Sequence, residues 1–375
     1  MNFSKLTLYL DQLKEKNIPG CDMVIWMNHR EVYRHQAGEA RPGIPMGGHE
    51  QYWLYSLTKL VTMTVLLKLE EMGEISIREP VSKYLPAYAE LSVRDGERIR
   101  PARTVMTIEH LMSMQGGLGS SFDTPGINTG MKRYHGRADT VQMAECFATD
   151  PLLFDPGEGF RYGLCHDAAG AVAAAATGIP LRDLAKNLVF DPLGMKNMTF
   201  HPDESQKAQL ASCWYIENGV LTEEENHLNE VCSMPEYDSG GGGLMGNVDA
   251  MILLADALAN GGVGQNGQRI LKAETIENMR TNRQFGPAME DFKRVRHKRG
   301  YGYGLGVRTL LDPEASESPI GEFGWDGAAG AWALMDPLNH VAAVYAQHVL
   351  DYLDTYYVFH PAIRDLMYQG LRQQE

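Results

Sequence analysis

The β-hairpin patterns at the two ends of this chain most restrict its possible folds. Two β-rich runs flank the Asn-His-Arg sequence at 28–30, which predicts a hairpin. Near the other end, Trp332–Met335 and 341–346 flank a polar turn at 336–340, which predicts a second hairpin. The middle, roughly 75–240, is rich in Pro, Gly and short helical patterns. These patterns predict an α/β fold of the α+β type, in which both termini build one antiparallel sheet that helices flank.

The helical middle then forms an inserted lobe. We expect a sheet lobe of residues 1–72 plus 245–375 and a mainly helical lobe of residues 73–244, with the active site between them. Three further predictions concern single segments: a strand in YGYGLGVRTLL at 301–311, a closing helix over about 355–373, and a solvated loop at 222–230.

Composition excludes two classes of protein. The chain has 375 residues, of which 44% are hydrophobic, enough to bury a sizeable core, so a mainly disordered chain is excluded. There are 34 Lys and Arg against 48 Asp and Glu, a net charge of -14. Since such an acidic surface repels phosphate backbones, we expect no nucleic-acid partner.

Cysteine usage and hydropathy predict the compartment. The five cysteines are scattered and include no CxxC pair, which fits a reducing compartment. The first 20 residues form an amphipathic helical pattern without the apolar stretch of a signal peptide. The most apolar run elsewhere, 168–181, is too short to span a bilayer. We expect a soluble, cytoplasmic protein with no membrane partner.

Ser56 and Lys59 are the sharpest chemical feature of the sequence. Apolar residues recur at helical spacing from 56 to 72, and Gly73 is a suitable C-terminal stop. Ser56 and Lys59 lie three apart at the start of this helix and so project from one face. A lysine one turn away can take the serine proton if burial favours its neutral form. The alternative is a capping serine beside a surface lysine, because SxxK is common by chance.

Other motifs point away from metal and cofactor chemistry. The sequence contains no HExxH, no Walker A and no GxSxG. Gly241, Gly243 and Gly246 spell GxGxxG, but no clear strand precedes them, so a turn into a helix near Val248 is the better interpretation. The twelve histidines do not cluster, and we expect no metal and no organic cofactor. The basic run at 293–299 predicts either a solvated loop, an oligomer contact or a contact for an anionic substrate group.

The SxxK motif at 56–59 belongs to the first of eight sequence motifs that follow one another along the chain. The others lie at 75–86, 107–118, 156–163, 192–195, 240–245, 302–307 and 324–330. In order and spacing, the series resembles the serine β-lactamase and penicillin-binding-protein superfamily. The similarity covers nearly the whole chain. It is strongest to the class C-like branch, which includes family VIII carboxylesterases, D-aminopeptidase-like enzymes and acyltransferases.

The resemblance implies a β-lactamase-like fold and a role for each matching residue. Ser56 falls on the nucleophile, Lys59 on the proton-shuttling lysine, and Tyr162 on the tyrosine that acts as base or as acid toward the leaving group. The backbone N–H groups of Ser56 and Ala328 would form the oxyanion hole. The remaining positions implied to contact substrate are Gln115, Leu164, Trp325, Asp326 and Gly327.

Two departures from the family pattern bear on the substrate. Leu164 replaces an asparagine that commonly holds a substrate amide, and Trp325-Asp326-Gly327 replaces the usual Lys-Thr-Gly or His-x-Gly. Both changes argue against an efficient β-lactamase or cell-wall peptidase and favour the esterase branch. Asp326 has two possible orientations. Turned outward it is a structural hydrogen-bond acceptor, whereas facing the cleft it would stabilise charged Lys59 and favour amine-bearing substrates.

Together these observations predict a serine hydrolase that forms an acyl-enzyme on Ser56. The main prediction is a carboxylesterase on small esters. The alternatives are an amidase or D-amino-acid peptidase, an acyltransferase, a weak β-lactamase, and an inactive binding protein on the same fold. The expected partner is a small-molecule ester or amide. The sequence predicts no oligomeric state.

Overall fold

The computed structural model describes residues 1–217, 219–224, 231–296 and 298–373. Its strands are β1 (Gly20–Met27), β2 (Arg30–Arg41), β3 (Ile44–Pro45), β4 (Tyr52–Trp53), β5 (Ser92–Asp95), β6 (Arg98–Pro101), β7 (Cys213–Glu217), β8 (Val220–Glu224), β9 (Met245–Gly246), β10 (Tyr301–Tyr303), β11 (Arg308–Leu310), β12 (Phe323–Asp326), β13 (Trp332–Asp336), β14 (Val341–Ala346) and β15 (Val349–Leu350).

The α-helices are α1 (Ser4–Asp11), α2 (Thr58–Met72), α3 (Ile108–Met112), α4 (Pro125–Arg133), α5 (Thr140–Phe147), α6 (Cys165–Thr177), α7 (Leu181–Ala185), α8 (Asp191–Leu193), α9 (Glu204–Lys207), α10 (Val248–Ala259), α11 (Ala273–Arg280), α12 (Pro287–Arg296) and α13 (His360–Arg372). Short 3-10 turns cover Gln12–Lys16, Tyr55–Leu57, Val81–Lys83, Pro86–Ala89 and Pro313–Ala315, and π-turns cover Lys186–Phe190 and Thr355–Phe359. In the described part of the chain, no helix is long and apolar enough to cross a membrane.

The main sheet is antiparallel and is built from both ends of the chain, as predicted. Its strand order is β10-β11-β12-β13-β14-β1-β2-β3. Asn28 and His29 join β1 to β2 with φ of 51° and 64°, the left-handed pair that matches the twist of a two-residue hairpin. The second predicted hairpin consists of β13 and β14, in which Trp332 lies opposite Tyr345 at one end and Asp336 lies opposite Val341 at the other. Both hairpin predictions are confirmed.

Helices cover both faces of this sheet. Every residue of β13 is buried, because alternate side chains enter two different cores. Trp332 and Leu334 join a cluster that packs under α1 and α13. Ala333 and Met335 join the larger cluster shared with α2, α6 and α10. The catalytic-site candidates lie where this larger cluster meets the sheet.

Three local predictions need adjustment. The single strand expected at 301–311 is a hairpin of β10 and β11, because Gly306, with φ 81°, turns the chain between them. The loop expected at 222–230 begins inside β8, which pairs with β7, and residues 225–230 lie outside the described residues. The closing helix begins with the π-turn Thr355–Phe359 before α13. The division into a sheet lobe of residues 1–72 plus 245–375 and a helical lobe of residues 73–244 stays a prediction.

Candidate active site

Ser56 lies in a 3-10 turn directly before α2. The preceding residue, Tyr55, has φ 45°, a left-handed conformation that is costly for a bulky residue. Such strain persists where the surrounding structure enforces it, and it is common at functional sites. Ser56 is half-buried, and α2 continues from Thr58 to Met72 with Gly73 in the left-handed C-cap conformation. The predicted helix and its glycine stop are confirmed.

The structure brings Lys59 onto Ser56. The Lys59 side-chain Nζ donates to Ser56 Oγ at 2.9 Å and to the Gly241 carbonyl oxygen at 2.5 Å. Lys59 is 3% exposed. A buried amine needs such acceptors, since burying a polar group without hydrogen bonds is costly. The short Ser56–Lys59 distance allows direct proton transfer between the two side chains.

Asp167 holds the loop that supplies the Gly241 carbonyl. Its Oδ1 accepts from the Tyr237 hydroxyl at 2.8 Å, from the Ser239 hydroxyl at 2.6 Å and from the Gly241 backbone N–H at 3.2 Å. A Cβ on Gly241 would lie 2.2 Å from Asp167 Oδ2, so this position requires glycine. Sequence reasoning missed both residues, because Gly241 was interpreted as part of a turn and Asp167 lies 74 positions away from it.

Tyr162 completes the group around Lys59. The Lys59 Nζ lies 4.7 Å from the Tyr162 ring centroid, a cation–π distance. The Tyr162 hydroxyl accepts a hydrogen bond of 2.8 Å from Trp325 Nε1. The two rings are 5.4 Å apart between centroids. The structure therefore brings together Ser56, Lys59 and Tyr162, and their catalytic roles stay predictions.

Trp325 is one of the residues implied to contact substrate, and that role stays a prediction. Its side chain is fully buried, behind Tyr162 rather than beside open solvent. The Tyr303 ring packs edge-on against it at 5.0 Å between centroids. Trp325 thus contacts the site through its hydrogen bond to the Tyr162 hydroxyl.

The segment after β12 lies against the Ser56 turn. A Cβ on Gly327 would lie 2.3 Å from the Leu54 carbonyl oxygen, so only glycine allows this approach. The Tyr356 hydroxyl bonds the carbonyl oxygens of Gly327 at 2.9 Å and Ala328 at 2.6 Å. These contacts fix the loop that carries the Ala328 N–H next to the residues that lead into Ser56. The oxyanion-hole role of Ala328 and Ser56 stays a prediction.

Asp326 faces away from the Tyr162 side of its strand. Successive side chains of a strand point to opposite faces, and Trp325 already points at Tyr162. Asp326 is 2% exposed and accepts from Lys298 Nζ at 2.6 Å. Of the two orientations considered from sequence, the structure therefore has the structural hydrogen-bond acceptor. The Lys298 Nζ also lies 5.7 Å from the Trp325 ring centroid.

The described side chains of the basic run at 293–299 lie in different environments. Lys293 and Arg294 are exposed on α12 and lie near Glu290 and Asp291 of the same helix. Lys298 pairs with Asp326, and Arg299 is exposed. The side chains at 295–297 lie outside the described residues.

Gln115 and Leu164, which the resemblance also implied to contact substrate, make contacts within the protein. The Gln115 amide Nε2 donates to the Arg283 carbonyl oxygen at 3.2 Å and to Gln284 Oε1 at 3.1 Å. Leu164 is 5% exposed and packs in the main core at the N-terminus of α6. Substrate binding by Gln115 and Leu164 stays a prediction.

His166 is a packed residue that is fully buried. Burial and the neighbouring Lys59 charge lower the pKa of His166 to about 3. Its Nε2 lies 2.9 Å from the Met112 carbonyl oxygen, so a neutral ring donates there. Among the described residues, no group of three His, Cys, Asp or Glu could hold a metal. The assembled side chains are those of nucleophilic and acid–base chemistry.

Comparison with known proteins shows the family of the chain and several relatives. Residues 7–352 match the family model described as beta-lactamase. The chain is similar to the esterase EstB of Burkholderia gladioli, at 28% identity over 357 residues that cover 87% of this chain and 85% of that protein. It is also similar to the acyltransferase calJ of Penicillium decumbens, at 25% identity over 343 residues that cover 82% and 78% of the two chains.

A solved structure has the same fold over the full chain. It is that of EstCE1, a hydrolase with promiscuous acyltransferase activity, with a TM-score of 0.80 and 24% identity over 98% of both chains. The predicted β-lactamase-like fold class is confirmed.

Proposed function

The chain belongs to the beta-lactamase family, and from that premise we propose that it is a serine hydrolase that cleaves small carboxylic esters through an acyl-enzyme on Ser56. The observation that carries this proposal is the 2.9 Å bond between Lys59 Nζ and Ser56 Oγ, with the Tyr162 ring 4.7 Å from the same nitrogen. A nucleophile with an adjacent proton acceptor is the requirement for acyl transfer.

In the first half of the reaction, Ser56 Oγ attacks the ester carbonyl carbon. Its proton passes to Lys59 Nζ or to the Tyr162 oxygen, whichever is deprotonated in the reacting state. The carbonyl oxygen becomes an oxyanion that the N–H groups of Ser56 and Ala328 stabilise. The carbon–oxygen bond to the alcohol then breaks, and the leaving alcohol takes up the proton.

In the second half, a water molecule attacks the acyl-enzyme. The same Lys59 and Tyr162 pair accepts the water proton and returns it to Ser56 Oγ, which releases the carboxylic acid. An alcohol in place of water gives acyl transfer, since the chemistry of the attacking hydroxyl is the same. Acyl transfer is the second candidate function, and the similarity to an acyltransferase supports it.

Esters are favoured over β-lactams and amides by two features of the site. No Lys, Arg or His stands at 325–327 to bind the carboxylate of a β-lactam, and the nearby Lys298 is bonded to Asp326. Leu164 supplies no amide to hold a peptide bond. An ester needs neither contact, because its alcohol is a good leaving group.

The proposal extends to compartment and partners. The five cysteines are free thiols, which suits the reducing cytoplasm. The net charge of -14 disfavours nucleic acids and anionic membranes as partners. The expected partner is a small-molecule ester.

A substrate panel tests the proposal. Initial rates are measured with p-nitrophenyl acetate, butyrate and octanoate, with a D-amino-acid amide, with nitrocefin, and with an acyl ester plus a competing alcohol. We expect short-chain esters to give the highest kcat/KM and nitrocefin to stay below about 10⁴ M⁻¹s⁻¹. Dominant amide or nitrocefin hydrolysis would overturn the ester assignment, and a transfer product that outpaces hydrolysis would replace it with acyl transfer.

A further inference from the structure

Tyr356 contacts the peptide group that contains the Ala328 N–H. The Gly327 carbonyl and the Ala328 N–H belong to one peptide unit, which is trans, so the two groups point in opposite directions. The Tyr356 hydroxyl donates to the Gly327 carbonyl oxygen at 2.9 Å, and the Gly330 N–H donates to the same oxygen at 3.0 Å. Because the peptide unit is planar, a carbonyl held on one side fixes the direction of the N–H on the other side.

The next peptide unit is held by the same hydroxyl. The Tyr356 hydroxyl lies 2.6 Å from the Ala328 carbonyl oxygen, which also accepts from the Asp351 N–H at 3.2 Å. The single hydroxyl proton is therefore shared between the carbonyl oxygens of the two peptide units that flank the Ala328 Cα. One side chain thus restrains the backbone on both sides of Ala328.

The N–H of Ala328 itself is not used within the protein. Among the described residues it donates to no acceptor, and Ala328 is half-buried. The segment lies against Leu54 and Tyr55, which directly precede Ser56. An unused backbone N–H beside a nucleophile is the kind of donor that an oxyanion requires.

The glycine at 327 makes a restraint on this peptide unit necessary. A Cβ at Gly327 would lie 2.3 Å from the Leu54 carbonyl oxygen, so no other residue fits there. Glycine has the greatest backbone freedom of all residues. Its own ψ angle therefore does not determine the plane of the following peptide unit, and the hydrogen bonds to the Gly327 carbonyl oxygen must do so.

The π-turn Thr355–Phe359 places Tyr356 at this peptide unit. The His360 N–H bonds the Thr355 carbonyl oxygen five residues earlier, and such turns are rare and frequent at functional sites. Thr355 is fully buried, and its Oγ1 accepts from Gln347 Nε2 at 3.0 Å. The Tyr356 ring packs edge-on against the His360 ring at 5.5 Å between centroids. These contacts hold the hydroxyl in place.

We propose that Tyr356 is a positioning residue for the oxyanion hole. Its hydroxyl holds the Gly327–Ala328 peptide unit in the orientation in which the Ala328 N–H donates to the oxyanion. Since hydrogen bonds in a chain polarise one another, the bond to the carbonyl oxygen also strengthens the N–H as a donor. The inference rests on the proposed function, in which the N–H groups of Ser56 and Ala328 stabilise the oxyanion.

A matched pair of tyrosine variants tests this role. Tyr356→Phe removes the hydroxyl and keeps the ring, and Tyr357→Phe removes a hydroxyl from the exposed neighbour in the same turn. For p-nitrophenyl acetate we expect kcat to fall about tenfold in Tyr356→Phe, which is less than the loss of an oxyanion-hole donor itself. We expect KM to change by less than about twofold, because the restraint acts in the transition state. Tyr357→Phe should keep both constants.

Inhibition by phenylboronic acid separates positioning from a loss of folded protein. Its boron takes Ser56 Oγ as a fourth ligand, and the anionic adduct resembles the tetrahedral intermediate. We expect the inhibition constant to rise about tenfold in Tyr356→Phe, in step with the fall in kcat. Titration with a fluorophosphonate counts the active sites. A merely structural change would lower that count and leave the inhibition constant at its wild-type value.

The outcomes distinguish this inference from the proposed function. A lower kcat with a wild-type inhibition constant, a raised KM with an unchanged kcat, or wild-type values throughout would overturn the role of Tyr356. Ser56→Ala is assayed in parallel. If it abolishes turnover, such a result leaves the acyl-enzyme in place without Tyr356, whereas turnover in Ser56→Ala near that of the wild type would overturn both.

Discussion

The Trp325 indole N–H donates to the Tyr162 hydroxyl oxygen at 2.8 Å. Because the indole can only donate, the Tyr162 oxygen must accept, and its own proton points elsewhere or is absent. This bond fixes the position of the phenol oxygen, whose ring centroid lies 4.7 Å from Lys59 Nζ. We therefore expect Trp325 to position the Tyr162 hydroxyl.

Removal of that donor should slow ester cleavage. In Trp325→Phe the ring is kept and the N–H is lost, so we expect kcat to fall about tenfold while KM changes little. Trp332→Phe is the matched control, because Trp332 is equally buried on the opposite face of the sheet. The measurement is steady-state ester hydrolysis by both variants, and equal kcat in the two would remove Trp325 from the positioning of Tyr162.

Asp326→Asn should lower the free energy of unfolding and leave the pH dependence of catalysis unchanged. The variant leaves Lys298 without its buried carboxylate, and breaking a buried ion pair costs about 3 kcal/mol. We expect denaturant unfolding to register that loss. The pH–rate profile should keep both limbs, since Asp326 faces away from Tyr162. A shifted basic limb, or a lost preference for amine-bearing esters, would contradict this orientation.

Asp167→Asn should lower both stability and kcat. An amide in this place turns one acceptor oxygen into a donor that opposes the Tyr237, Ser239 and Gly241 donors, at a cost of about 2 kcal/mol. The Gly241 carbonyl then shifts from Lys59, and we expect kcat to fall about tenfold. Asp183→Asn, on the exposed side of α7, is the control and should change stability by no more than about 0.5 kcal/mol. Wild-type kcat in Asp167→Asn would show that this loop does not position Lys59.

Buried histidines should make the protein acid-sensitive. Burial lowers the pKa of His166 to about 3 and of His360 to about 4. Below pH 6.5 the unfolded chain protonates these rings while the folded chain does not, so each costs about 1.4 kcal/mol of stability per pH unit. Burial raises the pKa of Asp22 to about 6 from its ordinary value of 3.8. Between these two pH values the folded chain binds a proton at Asp22 that the unfolded chain does not, so this residue adds stability as the pH falls and opposes the loss.

The contribution of one histidine can be measured directly. We expect His360→Gln to lower the slope of unfolding free energy against pH by about 1.4 kcal/mol per unit between pH 6.5 and 4. The measurement is urea unfolding at half-unit pH steps for the variant and the wild type. Parallel curves over that range would mean that His360 is not buried as a neutral ring.

Local patterns predicted most of the fold. The hairpins at both ends, helix α2 and its stop at Gly73 follow from turn residues and apolar periodicity, which are local properties. The predicted bounds of a strand were wrong where a single residue reverses the direction of the chain, as Gly306 does between β10 and β11. Ser56 and Lys59 could be found because one helical turn fixes their spacing.

The supporting contacts of the site could not be predicted. Asp167 and Gly241 are 74 positions apart, and Trp325 and Tyr162 are 163 apart. Only tertiary packing brings such pairs together, and no local pattern encodes it. The partner of Asp326 was equally hidden, since Lys298 belonged to a basic run that favoured a solvated loop. The one sequence signal is that Asp167 lies in a run of small, mostly apolar residues at 165–177, where a buried carboxylate needs a hydrogen-bond partner.

Covalent labelling of Ser56 tests the central claim most directly. The protein is treated with a fluorophosphonate, and intact mass spectrometry and peptide mapping follow for the wild type and for Ser56→Ala. We predict one adduct per chain, on Ser56, and none in the variant, which should keep the wild-type melting temperature and lose several orders of magnitude in ester turnover. An adduct on another residue, or turnover in Ser56→Ala above about a tenth of wild type, would contradict an acyl-enzyme on Ser56.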